Sequence, residues 1–361
     1  MSRTDGSALW PGVPLALASA ALFGASAPFA KLLLGAIEPQ LLAGLLYLGA
    51  GSGLAALLFG RAALGIPAPE APLRARDLPW LAAVVLSGGI LGPLLLMLGL
   101  ARTEAAAGSL LLNLEGLFTM AIAWLAFREN VDRRLLLGAL SILTGAAVLS
   151  WGGRGIGFDS GAVLIGGACL AWAIDNNLTR KLSSADPVLI AVIKGLAAGA
   201  ANAGLAAAAS AAMPPVGIIT AAAVVGFLGI GVSLVLFVLA LRHLGTARTS
   251  AYFSLAPFIG AVLAIGLLHE AATPRLVLAG LLMGFGLWMH LSERHDHEHE
   301  HEALEHEHSH SHSHDLHHQH DLDRLVTEPH SHWHRHQPLW HRHPHYPDLH
   351  HRHPHRSAQR P

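Results

Sequence analysis

The sequence predicts an all-α integral membrane protein, with ten transmembrane helices in two inverted five-helix repeats and a disordered, histidine-rich cytoplasmic tail. Three observations support this fold class. The chain of 361 residues is 52% hydrophobic and only 13% charged. From about Trp10 to Leu291 it is a succession of apolar runs, each long enough to cross ~30 Å of hydrocarbon as a helix. The two halves of this region also match each other, and the residues after it hold 23 of the 26 histidines.

The apolar runs divide into ten predicted spans, at 11–33, 39–60, 78–100, 103–126, 135–151, 161–179, 187–209, 217–241, 246–268 and 275–291. Most connections are short, as expected between adjacent antiparallel helices. The first run follows Arg3 and could instead be a signal peptide. Its extension to about Leu34 and its counterpart later in the chain favour a transmembrane span. The predicted organisation is a short cytoplasmic N-terminus (1–10), a first repeat (11–151), a second repeat (161–291) and the tail (292–361).

The distribution of Lys and Arg predicts the orientation of the spans. With the N-terminus inside, the inner segments carry eleven of these residues and the outer connections carry four. Because ten is an even number of spans, the histidine-rich tail is also expected to be cytoplasmic.

The second half of the membrane region repeats the first. When the first half is aligned with the second at an offset of 141 residues, without gaps, Glu129 aligns with Glu270. At an offset of 148, Glu38-Pro39 aligns with Asp186-Pro187. Further coincident pairs are Ser109 with Ser250, Asn113 with Ser254, Gly116 with Pro257, and Gly145 with Gly286. Because five spans is an odd number, the second half enters the membrane from the opposite side, as in secondary transporters that alternate their access. Chance similarity between Ala-rich helices is the alternative, which the paired acidic positions disfavour.

Each half closes with a small-residue helix, a short charged link containing Glu (FREN and LLHE) and a Gly-rich final span. In these features the chain resembles the EamA family of the drug/metabolite transporter superfamily over about residues 12–291. The resemblance implies a proton-coupled or exchange transporter, often an exporter, of amino acids, other metabolites or drugs, and it does not fix the substrate. The long tail departs from the family's usual short terminus. Its motif HRHPHYPDLHHRH resembles tails of a bacterial subset, which implies a bacterial inner membrane.

Polar residues at membrane depth are the candidate substrate-binding residues, because such residues are costly in lipid and often mark a transport pathway. Glu115 lies near the middle of the fourth span, and its counterpart in the second repeat is Ala256. One interpretation of Glu115 is proton coupling or contact with the substrate. The other is a buried acid that is hydrogen-bonded to a neighbouring helix.

Two symmetry-related polar faces are further candidates for a midplane site. Ser109 and Asn113 lie four residues apart, a spacing that returns to the same side of a helix. Ser250 and Ser254 form the corresponding face of the ninth span. Ordinary interhelical hydrogen bonding is the alternative role for all four residues.

A polar cluster ends the sixth span, where Asp175 and Asn176 follow Trp172. The carboxylate and the indole face could together bind a cationic or amphipathic substrate, or the cluster could be an interfacial one. Lys194 in the seventh span could pair with Asp175 or Glu115. Extension of its long stem to the inner surface is the favoured interpretation.

The tail has the composition of a metal-binding segment, with motifs such as HDHEHEH and HEHSHSHSH. Imidazole is a common ligand of Zn, Ni, Co and Cu, and the tail lacks Cys. The predicted ligands are His295, His297, His299, His301, His306, His308, His310, His312, His314, His332, His334 and His336. Without apolar periodicity, the tail is not expected to fold alone. Its alternative roles are a pH-responsive polycation that approaches anionic lipids, or none.

The leading hypothesis is a secondary active transporter, acting as an exporter of a small organic metabolite or drug across the inner membrane, with a regulatory or storage tail for divalent metal. Its expected partners are the solute, membrane lipid, the metal and a coupling proton, and transport requires no cofactor. The net charge of −1 gives no argument for nucleic acid.

The alternative is an exporter of Ni, Co or Zn, which is weakened because no span has a His-x3-His or paired carboxylate face. An intramembrane enzyme or receptor is disfavoured, because the spans contain no HExxH or GxSxG motif. Cys169, the single cysteine, lies inside an apolar run and provides neither a disulfide nor a thiolate zinc site.

Overall fold

The computed structural model describes residues 11–65, 73–127, 133–151, 159–179, 182, 186–291, 298–301, 305–310, 330–335 and 339–342. Its helices are α1 (Gly12–Leu33), α2 (Pro39–Ala63), α3 (Leu78–Val84), α4 (Gly92–Leu100), α5 (Ala105–Leu111), α6 (Leu114–Phe127), α7 (Arg133–Ser150), α8 (Ser160–Thr179), α9 (Pro187–Ala208), α10 (Val216–Gly226), α11 (Ser233–Leu244), α12 (Thr246–Phe253), α13 (Ala256–Leu268) and α14 (Pro274–Leu291). A 3₁₀ turn (Ala75–Asp77) precedes α3, and π-helical segments join α3 to α4 (Val85–Leu91) and α10 to α11 (Phe227–Val232).

These helices form ten stretches that are long and apolar enough to cross a membrane, counted over the described residues. The predicted all-α membrane fold is therefore confirmed, and the predicted span limits lie within a few residues of the observed ones. The third, fourth, eighth and ninth spans each consist of two consecutive helices.

The packing of the helices has the symmetry of an inverted repeat. The second and seventh spans (α2 and α9) pack against each other, and so do the fifth and tenth (α7 and α14). The contact between α1 and α13 is matched by the contact between α8 and α6. The two halves thus pack against each other through contacts that are equivalent in both halves, and the cavity described below lies between them.

Small residues bring α2 and α9 together. A Cβ atom on Gly195 would lie 2.8 Å from Cα of Gly51, and one on Gly199 would lie 2.6 Å from the backbone N of Leu48. Real Cβ atoms do not approach backbone so closely, so any larger residue would separate the helices. In lipid, where the hydrophobic effect does not drive helix association, such close approach is a main source of stability.

The interruptions of the spans also repeat. The two π-helical segments coincide to within one residue at the offset of 141, and both are rich in glycine. The break between α5 and α6 contains Asn113, and the break between α12 and α13 contains its counterpart Ser254. Irregular backbone at membrane depth is typical of transporters, where it faces protein or a cavity rather than lipid.

The two acid-proline pairs perform the same local function in both halves. The Glu38 side chain accepts a hydrogen bond from the backbone N of Leu41 at 3.0 Å, and that of Asp186 accepts one from the backbone N of Val188 at 2.7 Å. Each acid is the N-cap of its helix, with proline at the first helical position, where no N–H is needed. Glu129, whose counterpart is Glu270, lies outside the described residues.

Four short strands occur in the tail, which the sequence predicts to be disordered. They are β1 (Glu298–His301), β2 (Glu305–His310), β3 (His330–Arg335) and β4 (Leu339–Arg342). Strand β1 pairs with β4 and β2 pairs with β3, both antiparallel. The prediction of disorder therefore differs from the structure at these strands. Histidine alternates there with other residues, and this two-residue period is that of a strand.

We predict that Asp186→Ala lowers the free energy of unfolding by about 1 kcal/mol, since the cap of α9 is lost. Thermal unfolding of the purified protein in detergent measures the change. Glu104→Ala is the matched control, because Glu104 precedes α5 without capping it through its side chain. Equal melting temperatures for the two variants would contradict the assignment of Asp186 as a cap.

Candidate functional site

A cavity of about 910 Å³ lies between the two halves. It is lined by α1, α2, α4 and α6 of the first half and by α8, α9, α11 and α12 of the second. The cavity reaches the end of the bundle where α7 begins and α14 ends, since Leu135 and His290 line it. We call this end the N-terminal side, because α1 also begins there, and the opposite end the far side. The volume is typical of a binding site for a small organic molecule.

An ion pair between two helices of the second half lies in the cavity wall. The Lys194 ammonium on α9 donates to Oδ2 of Asp175 on α8. The Asp175 side chain is only 5% exposed and that of Lys194 is 21% exposed. Lys194 therefore does not extend to the inner surface, and the favoured interpretation of this residue is wrong. A carboxylate buried at membrane depth needs a cation, and Lys194 supplies it.

The π-helical segment of the third span supplies a backbone acceptor to the same region. The Gly88 carbonyl accepts hydrogen bonds from Nε1 of Trp172 at 2.9 Å and from the hydroxyl of Tyr47 at 3.0 Å. The preceding bond of this segment runs from the backbone N of Gly92 to the carbonyl of Ser87. The next donor in this pattern would be Pro93, which has no N–H. The sequence therefore leaves the Gly88 carbonyl available to side chains from two other helices.

Glycine at position 88 is also required by the ion pair. A Cβ atom there would overlap the Asp175 carboxylate, with Cβ of Asp175 itself only 2.6 Å away. One turn later, a Cβ atom on Gly92 would lie 2.6 Å from Nε1 of Trp172. The third span therefore lies directly against Asp175 and Trp172, which fixes both side chains beside the cavity.

The second carboxylate of the cavity is held by an amide. Asn176 on α8 donates to Oε1 of Glu115 at 2.9 Å and to Oγ1 of Thr119 at 3.3 Å. The neighbouring Asn177 donates to the Thr119 carbonyl at 3.2 Å. These bonds join α6 to α8 and place the Glu115 carboxylate in the cavity wall.

Aromatic side chains form much of the remaining surface. Phe253 contacts Phe23 with ring centroids 5.2 Å apart and Phe237 with centroids 4.9 Å apart. All three rings line the cavity, together with Tyr47. A solute there would meet apolar and aromatic surface over most of its area, and polar groups mainly on the side of α6, α8 and α9.

The structure brings together five of the eight predicted substrate-binding residues. Glu115, Trp172, Asp175, Asn176 and Ser250 line the cavity. Their role in binding stays a prediction, since geometry alone shows only that a solute could reach them.

The other three predicted residues lie elsewhere. Ser109 is buried against Gly260 of α13, and its hydroxyl has no hydrogen-bond partner among the described residues. The Asn113 amide donates to the Leu110 carbonyl at 2.8 Å, and the Ser254 hydroxyl donates to the Ala251 carbonyl at 2.7 Å. The predicted polar face assumes a continuous helix, whereas the break after α5 ends the regular spacing.

Sequence reasoning missed Tyr47, Thr119 and the three phenylalanines. Tyr47 carried a weak signal, because it is one of three tyrosines in the chain and interrupts an apolar run. The other four resemble ordinary helix residues in the sequence, and only the packing of the helices places them around one cavity.

No cluster of three or more His, Cys, Asp or Glu side chains that could hold a metal occurs among the described residues. Of the predicted ligands, His299 and His301 are in β1, His306, His308 and His310 in β2, and His332 and His334 in β3. Backbone register pairs His306 with His334 and His308 with His332. The remaining ones, His295, His297, His312, His314 and His336, lie outside the described residues. Metal binding by the tail stays a prediction.

Comparisons with known proteins agree with this architecture. The model of the EamA-like transporter family matches residues 10–151 and again residues 159–292. An uncharacterized transporter of Methanothermobacter thermautotrophicus is 28% identical over 237 residues, which are 61% of this chain and 66% of that relative. The chain thus spans just under two thirds of the relative's length.

A solved crystal structure has a similar fold, with a TM-score of 0.57 and 19% sequence identity. The similarity covers 77% of this chain and 95% of that one. At this level of identity the comparison supports the arrangement of the helices and nothing about the solute.

We predict that removing one partner of the ion pair is more harmful than removing both. Lys194→Met leaves Asp175 buried without a cation and should lower the free energy of unfolding by about 3 kcal/mol. The double variant Asp175→Asn, Lys194→Met should be destabilised less than Lys194→Met alone. Thermal unfolding in detergent measures both.

Arg76→Met is the control for this comparison, because the Arg76 side chain is 70% exposed in its 3.9 Å pair with Asp77. An exposed pair is worth at most about 1 kcal/mol. A double variant that is as unstable as the sum of its single variants would contradict the assigned pairing.

Proposed function

Because this chain belongs to the EamA-like transporter family, we propose that it is a secondary active transporter that exports a small organic metabolite or drug through the cavity between its halves. The observation that carries the proposal is a cavity of about 910 Å³ that is lined by both inverted halves. Alternating access requires a site between the halves, so that movement of one half against the other opens it to either side. The proposal assigns transport and no enzymatic reaction, and transport needs no cofactor.

The lining of the cavity favours an uncharged or zwitterionic solute. Its aromatic and aliphatic surface suits an organic skeleton, and its two ionic groups on the α8–α9 wall, Asp175 and Lys194, neutralise each other. Among the carboxylate and ammonium groups of the described lining, Glu115 alone is outside this ion pair, so the lining offers little to balance a large net charge on a solute. Export of Ni, Co or Zn is the alternative, which the composition of the tail supports. It requires a ligand set that the described part of the cavity does not provide.

We assign proton coupling to Glu115. Its carboxylate is bound by the neutral amide of Asn176, whereas Asp175 is bound by a cation. At membrane depth an ionised carboxylate without a cation is costly, which favours Glu115 as the site of the coupling proton. Binding of the solute beside Glu115 would change that cost, which couples solute and proton.

The protein is proposed to lie in a bacterial inner membrane with both termini in the cytoplasm. Lys and Arg are enriched in the segments on the N-terminal side. With this orientation the cavity opens to the cytoplasm, where an exporter takes up its solute. The tail follows α14 directly, and His290 near the end of α14 lines the cavity. The end of α14 thus lies at the mouth of the cavity, and we propose that binding of Zn, Ni, Co or Cu by the tail regulates entry or stores metal.

We predict that Glu115→Gln reduces export about tenfold or more, because the amide takes up no proton and its hydrogen bond from Asn176 no longer has a charged acceptor. The assay compares metabolites in the medium of cells that lack the protein with those of cells that overproduce it. Thr144→Ala is the control, because Thr144 is exposed on the lipid face and donates to the Leu140 carbonyl of its own helix. Undiminished export by Glu115→Gln would remove Glu115 from the coupling scheme.

We further predict that a chain ending at Ser292 still exports the organic solute but loses its response to metal. The measurement is a joint metabolite and metal profile of cells that produce the full or the shortened chain. If only the metal content of the cells changes, and changes with the shortened chain too, the protein is a metal exporter instead.

A further inference from the structure

The far side of the cavity is closed by a contact between the two halves. Glu270 follows α13 in the second half, and its carboxylate accepts two hydrogen bonds from α5 in the first half. Oε1 accepts from the backbone N of Ala105 and Oε2 from that of Ala106, each at 2.7 Å. His269, in the left-handed region with φ 54°, ends α13 and turns the chain toward α5.

Helix α5 depends on this carboxylate. The first N–H groups of a helix have no partner within the helix, and Glu104, the residue before α5, does not cap it through its own side chain. Ala105 and Ala106 are both fully buried, so water does not replace the missing acceptor. A carboxylate at this end also matches the positive end of the helix dipole. A residue of the second half therefore completes a helix of the first half.

The helices α1, α5 and α13 pack tightly against one another. A Cβ atom on Gly260 of α13 would lie 2.7 Å from the Gly24 carbonyl of α1 and 2.8 Å from the Ser109 hydroxyl of α5. The turn before α5 is also held from within the first half, because the Lys31 ammonium donates to the carbonyls of Leu100 and Thr103. This turn is bound to the first half and Glu270 belongs to the second, so separation of α5 from α13 would break the bonds of Glu270.

We propose that Glu270 is a positioning residue for transport, which holds the far side of the cavity closed while the N-terminal side is open. Opening toward the far side exchanges its two buried hydrogen bonds for bonds to water. Removing the charge should therefore favour the conformation that is open on the far side. This proposal rests on the proposed function only in giving the closure a role in transport. The closure itself is measurable without any solute.

Accessibility of a single cysteine tests the proposal. Cys169, the one cysteine of the chain, is replaced by Ala, and Met97→Cys then places a thiol in the cavity wall on α4, toward the far side. A membrane-impermeant thiol reagent is applied to full-length protein in vesicles, from the far side in one series and from the N-terminal side in another. Glu270→Gln is compared with Glu104→Gln. The control removes an exposed charge next to Thr103, in the turn that Lys31 binds, without touching the α5 amides.

The expected result is about a tenfold faster reaction from the far side in Glu270→Gln, since a hydrogen bond to a charged group is lost. The reaction rate from the N-terminal side should fall or stay constant, and Glu104→Gln should match the parent protein. Equal far-side rates in the two variants would overturn the proposal. So would a rate that rises equally from both sides, which indicates general loosening.

A conservative variant covers the case in which Glu270→Gln does not fold. Glu270→Asp keeps the charge but shortens the side chain, so it should raise the far-side rate by a smaller factor. A far-side rate unchanged in Glu270→Asp would then overturn the proposal. A parent protein that exports no solute, with labelling as expected, would refute the proposed function and leave the role of Glu270 intact.

Discussion

A polar group at membrane depth must find its partner inside the protein, and this constraint determines how the cavity is built. Pro93 leaves the Gly88 carbonyl without a donor from its own helix, and Trp172 and Tyr47 donate to it instead. The Asp175 carboxylate is satisfied by Lys194 in the same way. Each of these bonds joins different spans, so side chains that line the cavity also hold its walls together.

The sequence predicts structural features that depend on residues close together in the chain. Its predictions fail where the partner of a side chain lies on another span. Length and hydropathy locate ten spans, and the acid-proline pairs at Glu38 and Asp186 cap their helices as local chemistry requires. For Lys194 the sequence allows three interpretations: a pair with Asp175, a pair with Glu115, or extension to the inner surface. The packing of α8 and α9 selects the pair with Asp175. Asn113 was placed on a continuous face because nothing in its neighbours marks the break after α5.

The scaffold is symmetric, whereas its chemistry is not. Caps, π-helical segments and helix breaks recur in both halves at nearly constant offsets. Glu115, however, corresponds to Ala256, so the carboxylate bound to Asn176 has no counterpart in the second half. Symmetric parts are sufficient for two conformations of similar energy that open to opposite sides. In the proposed function, recognition of a solute and of a proton would therefore depend on the positions where the two repeats differ.

The fourth span connects this asymmetric site to the closure on the far side. Its first part, α5, is held at its N-terminus by Glu270, and its second part, α6, carries Glu115. The break between them lies only two residues before Glu115 and ends the regular helix. In the proposed mechanism, a change in the bonding of Glu115 would shift α6 against α8 while α5 keeps its place against Glu270. A break at this position would then separate the proposed solute binding from the proposed opening of the far side, because a continuous helix would transmit every movement of Glu115 to the closure at once.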